Sequence, residues 1–247
     1  MILTRRAVGI KCQRALTGAK LVLLRLHSSD AIILSGAQSE LAAMSHLAGY
    51  HAARNLSGAQ SEFAAVRITI PDPCLVILCG PAACGKSTFA RKRFRSTQIV
   101  SSDRCRAVLT DSEESLWASG KAFELFRMII RMRLGFGRLT VADSTALSRR
   151  ARADLRRIAR EAGVPAVLVV FNVPEGVCLQ RDSMRRRRVG SWVIGRHAAM
   201  LRDAIANIRH EPYHAVYVLD EREADAATIR RVRGGAGGPG TPRPRRR

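Results

Sequence analysis

The sequence predicts an α/β domain, a parallel sheet flanked by helices on both faces. Three observations predict it. Short, mostly apolar runs recur at residues 74–79, 98–101, 139–142, 166–171 and 215–219, each the length of a buried strand. Helix-period stretches separate them, at 86–94, roughly 115–135, 148–162, 174–184 and 191–210. Several runs end on a polar residue, with Asp143, Asn172 and Asp220 following the third, fourth and fifth. Side chains that act on a ligand gather at such carboxyl ends in a parallel sheet.

The remaining composition bounds the domain. At 247 residues the chain is long enough for one domain with appendages. Its hydrophobic content is 47% and its aromatic content only 5%, so Leu, Val, Ile and Ala carry the packing. The formal charge is +22. Residues 71–220 alone hold 26 Lys/Arg against 14 Asp/Glu, so the central region is itself basic. Two readings stand: a polyanionic partner such as RNA or DNA, or solvated arginines on helix faces. The six cysteines include no C-x-x-C pair, which fits a reducing cytoplasm better than a disulfide or metal scaffold. No apolar run is long enough to span a membrane, so no membrane partner is expected. The sequence carries no sign of oligomeric state.

Three regions follow. Residues 1–70 form a basic extension, helical or disordered. Its first 29 residues lack any acid, as in a transit segment or a start extended into upstream sequence. The heptapeptide at 34–40 recurs at 56–62, a local duplication too short for a solenoid. Residues 71–220 are the catalytic-type domain. Residues 221–247, rich in Arg, Gly and Pro, are expected to be a disordered tail.

The first strand runs into Gly80-Pro81-Ala82-Ala83-Cys84-Gly85-Lys86-Ser87-Thr88, and a helix follows. Strand, G-x-x-x-x-G-K-S and helix in that order make a phosphate loop. Gly80 and Gly85 permit backbone conformations closed to other residues, so the loop's N–H groups can converge on phosphate oxygens. The positive end of helix 86–94 adds to their field. Lys86 is placed for the β and γ phosphates of ATP, and the Ser87 hydroxyl for Mg2+. Cys84 within the loop is either a filler or a thiol acidified by the helix terminus.

After the second strand come Ser102, Asp103, Arg104, Cys105 and Arg106. Asp103 stands where an acceptor hydroxyl meets the γ phosphate, and a carboxylate there takes the hydroxyl proton. The alternative is a helix N-cap. Arg106, three residues on, can share the cleft and clamp a second phosphate.

The phosphate loop, the stretch from Ile99 to Arg106 followed by Leu109-Thr110-Asp111, and Leu139 through Thr145 together resemble the kinase domain of bacterial polynucleotide kinase-phosphatase, an RNA end-healing family. The similarity continues through Val169–Asn172, Val193-Ile194, Arg196-His197 and Val216–Leu219, and covers about residues 74–220. It implies a P-loop kinase fold with a helical lid, and transfer of the ATP γ-phosphoryl group to a polynucleotide 5′-OH. It implies Asp103 as general base, Arg106 on the phosphate next to the acceptor nucleoside, and lid arginines on the transferring phosphate.

Asp143 is read as a magnesium holder acting through water, or as a plain capping residue. The family usually has Asp-Ala-Thr-Asn where this chain has Asp143-Ser144-Thr145-Ala146, which removes an amide near the nucleotide. The run Arg185–Arg188 lies between two predicted helices, the place of a lid that supplies arginine. Arg185 is the first candidate and Arg188 the second, against the reading of a solvated basic face. His197, His214 and Trp192 are read as packing or surface residues. Two rivals to the polynucleotide kinase remain: a kinase for a small molecule, and a non-catalytic ATP-binding protein that binds nucleic acid.

Overall fold

A computed structural model describes residues 66–233 and, as backbone alone, the strands β1 (Val22–Arg25) and β2 (Ala31–Leu34). The acid-free leader, the duplicated heptapeptide and the tail from residue 234 lie outside the described residues, apart from those two strands. The chain divides into two compact units, residues 1–48 and 49–247. In the first, β1 and β2 pair antiparallel.

The second unit holds the predicted sheet. Its strands are β4 (Leu75–Cys79), β5 (Ile99–Ser101), β6 (Thr140–Asp143), β7 (Ala166–Phe171) and β8 (Ala215–Leu219). Their order is β5-β6-β4-β7-β8, and every pairing is parallel. β4 is therefore central, and its side chains alternate between two buried faces. Val76 and Leu78 pack with Val169, Phe171, Phe89 and Phe94, while Leu75 and Ile77 pack with Leu168, Phe126, Ile130 and Ile158. A strand buried on both sides has no polar face to show, which is why these runs read as uniformly apolar.

The first face is covered by α1 (Lys86–Arg93) and α5 (Glu175–Ser183). The second is covered by α3 (Ser119–Gly135), α4 (Arg149–Glu161) and α6 (Ser191–Ile208). Between them α2 (Ser102–Thr110) follows β5 directly. The predicted strands and helices stand within a few residues of their expected bounds.

The expected edges at residues 70 and 220 are corrected. Residues 221–226 form the helix α7 (Glu221–Ala226). Beyond it β9 (Thr228–Arg233) pairs in parallel with β3 (Arg67–Asp72), bringing together two segments assigned to separate appendages. Ile68 and Ile70 of β3 are fully buried, and the Tyr217 hydroxyl donates to Thr69 O and accepts Thr69 N–H, both at 3.0 Å. The described domain thus includes residues up to Arg233.

α4 is so rich in arginine that a solvated helix is the simple reading, yet Arg152 is only 1% exposed. Its Nε and Nη2 donate to the Glu211 carboxylate, and its Nη1 donates to Ala146 O at 3.1 Å and Leu147 O at 2.6 Å. Arg156 and the Tyr213 hydroxyl meet the second Glu211 oxygen. Burial alone would raise the Glu211 pKa; the Arg152 hydrogen bond and the charges of Arg152 and Arg156 outweigh it and hold the carboxyl below 4.5.

Removing one partner of a buried ion pair costs about 3–5 kcal/mol, because the other is left charged and dry. We expect Glu211→Gln to destabilise the protein by that amount near neutral pH, measured by urea unfolding. A carboxyl depressed in the folded state stabilises above its unfolded pKa and loses that contribution as pH falls through the folded value. Wild-type stability should therefore fall below pH 4.5, and the variant should lose less over the same range. Asp143, raised by burial, acts in the opposite sense and offsets part of the fall.

Candidate active site

The carboxyl ends of β4, β5 and β6 bring three segments together. The loop 80–85 leaves β4 in a tight turn. A Cβ on Gly80 would lie 2.9 Å from Cys84 Sγ, 3.0 Å from Phe171 Cβ and 3.2 Å from Phe171 O, so only glycine fits there without the neighbours shifting. Gly85 has φ 98°, in the left-handed region, and caps α1. Gly80 N–H donates to Thr145 O at 3.0 Å, which ties the phosphate loop to the segment after β6.

Lys86 is 8% exposed. Its ammonium donates to Gly80 O at 3.0 Å, to Pro81 O, and to Cys84 Sγ at 3.5 Å. The charge is thus held over the loop's own carbonyls. Cys84 itself is 1% exposed and packs in the core. Ser87 and Thr88 are exposed at the start of α1.

Asp143 ends β6 and is 6% exposed. Burial pushes its carboxyl up, against the lowering effects of a hydrogen bond from Ser87 and the charge of Lys86. Ser87 hydroxyl and Asp143 carboxylate are hard oxygen donors side by side. Mg2+ is held by one or two such groups together with substrate phosphates, so this pair fits the ion.

Ser101 pairs with Asp143 across β5 and β6, and α2 begins at the next residue. Ser101, not Asp103, caps that helix: its hydroxyl accepts Arg104 N–H at 3.4 Å. Asp103 is therefore free of the capping role. Its half-exposed carboxylate accepts from Arg106 Nη1 at 2.8 Å. Arg106 Nη1 also donates to Glu113 O at 2.7 Å. Arg106 is 5% exposed, and its Nε has no hydrogen-bond partner. A buried N–H without a partner is costly, and it belongs to the same guanidinium whose Nη1 holds Asp103.

The basic run 185–188 sits between α5 and α6. Asp182, 4% exposed, accepts Val189 N–H and Gly190 N–H at 3.0 Å and so pins the end of the run. Arg185 lines a cleft of about 680 Å³ with Ala83, Cys84, Gly85 and Thr88 of the loop. Arg188 is exposed and stands outside that lining. Two other lining residues escaped the sequence reading. Arg181 pairs with Glu221 at 2.5 Å, closing one wall of the cleft. Arg181 lies in the last turn of α5 and Arg185 just past its end, four residues on, and a basic residue that close to the run was the available signal. Glu221 comes from α7, within the segment read as tail.

Ala146, which replaces the family's Asn, has φ 44° and is buried. Asn is enriched in that left-handed region, so the backbone explains a preference for it. In this chain the main-chain oxygen of Ala146 does the bonding, accepting from Arg152 Nη1 and from Cys79 Sγ at 3.4 Å.

Comparison with curated proteins returns no match. Among solved structures, the chain is similar to one in the Pnkp1/Rnl/Hen1 RNA repair complex, with 23% identity over 56% of this chain and 47% of that one, TM-score 0.49. The chain thus spans about half the length of that relative. It is also similar to a gluconokinase from Sinorhizobium meliloti 1021 (19% identity, 63% and 91% covered, TM-score 0.41) and to a shikimate kinase from Bacteroides thetaiotaomicron (13%, 59% and 86%, TM-score 0.40). The five-stranded parallel sheet between helices, with the phosphate loop leaving its central strand, is a P-loop α/β fold. A family model described as an AAA domain matches residues 75–206, more than half of the sequence, and the chain belongs to that family.

Proposed function

We propose that this chain is an ATP-dependent kinase that transfers the γ-phosphoryl group to the 5′-hydroxyl end of RNA or DNA. The loop 80–88 binds the triphosphate, with Lys86 turning from the loop carbonyls to the β and γ oxygens. Mg2+, when bound, neutralises phosphate charge beside Ser87 and, through water, Asp143. Asp103 accepts the acceptor hydroxyl's proton and aligns it for in-line attack. Arg185, with Arg188 on a closing lid, stabilises charge spread over the transferring group. The cleft bounded by Arg181 and Glu221 takes the nucleoside of ATP. The five described cysteines are free thiols, which supports action in a reducing cytoplasm.

The observation that carries the acceptor assignment is the unpartnered Nε of Arg106 beside Asp103. A buried guanidinium with a donor to spare is matched by an anion, and this one is already paired through Nη1 with the base Asp103. A 5′-hydroxyl end has such an anion in its first phosphodiester. The basic charge of the chain supports the same reading.

A second reading has an observation of its own. Asp111, Glu113 and Glu114 follow α2, and they repel an extended polyanion on the acceptor side. A small hydroxy acid or hydroxy phosphate satisfies Arg106 without crossing them.

Labelled ATP offered with 5′-OH oligonucleotides and with small hydroxy acids separates the two. We expect label on the oligonucleotide; label on a small acid alone would assign the second reading. Asp103→Ala should lower kcat by roughly 10²–10⁴-fold and leave ATP affinity unchanged. Arg106→Gln should raise the acceptor KM roughly ten- to a hundredfold, the worth of a charge-assisted contact, with the KM for ATP unmoved. A rise in the ATP KM instead would place Arg106 on the donor.

A further inference from the structure

His197 lies on α6 and is partly buried, and its Nδ1 accepts the N–H of Ala82 at 3.3 Å. Ala82 is the third residue of the phosphate loop, whose N–H groups are the ones that converge on phosphate oxygens. One N–H of the loop is thus bonded to an imidazole. Accepting requires Nδ1 to be unprotonated. Burial, then the charges of Lys86 and Arg196, push the His197 pKa below 6.5, so the neutral ring is the form present near neutral pH. The charged groups that bear on it are Lys86 from α1 and Arg196 from its own helix.

We propose that His197 is a phosphate-binding residue that takes up a proton as the nucleotide arrives. The inference rests on the reading of the loop as the ATP site. Triphosphate oxygens accept the Ala82 N–H, and its bond to Nδ1 breaks. The freed Nδ1 takes a proton from solvent, and the resulting N⁺–H donates to a terminal phosphate oxygen. The negative charge of the triphosphate offsets Lys86 and Arg196, reversing the balance that keeps the ring neutral. His197 then adds a cation beside Ala82 of the loop, where none of the cleft-lining arginines is in contact with it.

Calorimetric titration of the full chain with Mg·ATP, slightly above neutral pH, reads this directly. In two buffers of different ionisation enthalpy, the change in apparent binding enthalpy gives the protons taken up. His197→Asn is the main variant, because its amide oxygen can still accept Ala82 N–H but cannot take the proton. Wild type should take up more protons per ATP than His197→Asn, and the variant should bind ATP about tenfold more weakly. His197→Ala, which also loses the loop contact, should match His197→Asn in proton uptake. Equal uptake in wild type and His197→Asn would overturn the proposal and leave His197 as a loop brace. Absence of any ATP binding by folded wild type would overturn the nucleotide reading as well.

Discussion

The buried guanidinium of Arg152 is the constraint on which the site depends. Taking a charge out of water costs several kcal/mol, and only a full set of partners offsets it. Arg152 uses its Nε and both terminal nitrogens, on Glu211 and on the carbonyls of Ala146 and Leu147. Those carbonyls belong to the segment that leaves β6. The same segment supplies Thr145 O to Gly80 N–H, and its main chain accepts Cys79 Sγ at the end of β4. One ion pair, anchored on the far side by Arg156 and Tyr213, therefore sets how β6 ends relative to the phosphate loop.

From that anchoring follows an arrangement of charge. Asp143 is held in a buried position where its own ionisation is disfavoured, next to Ser87 and Lys86. Lys86 is folded on carbonyl oxygens, and Arg106 is buried with one donor unused. Among the described residues, Arg106 Nε lacks a partner outright, Lys86 spends its charge on neutral acceptors, and Asp143 is a buried carboxyl with no cation bonded to it. A phosphorylated ligand with its metal would supply what is missing: anionic oxygens for Lys86 and Arg106, and a cation for Asp143. Sites that bind by such completion gain specificity because a ligand lacking the groups leaves buried charge unmatched.

Much of this was legible in the sequence. Strands buried on both faces must be apolar throughout, so β4 and β7 declared themselves, and the glycine spacing of the loop follows from Gly80's crowding and Gly85's φ. The illegible parts share a physical cause. Arginine is exposed by default, so nothing in the pattern of α4 singled out Arg152 from its neighbours. β9, Thr-Ile-Arg-Arg-Val-Arg, pairs through its backbone while most of its side chains face solvent, and so carries no apolar period. His197 reaches the loop across 115 residues of sequence, a distance no local motif encodes. Asp103 shows the reverse: the sequence left base and N-cap open, and the Ser101 hydroxyl takes the capping role.

At the carboxyl ends of β4, β5 and β6 a nucleotide site adjoins an acceptor site. A crystal structure with a non-hydrolysable ATP analogue, Mg2+ and a short 5′-OH oligonucleotide tests it most directly. The account predicts the triphosphate on residues 80–88, the 5′ oxygen within about 3 Å of the Asp103 carboxylate, and the adjacent phosphate on Arg106 Nε. An oligonucleotide bound away from Asp103, with Arg106 Nε still unpartnered, would contradict it.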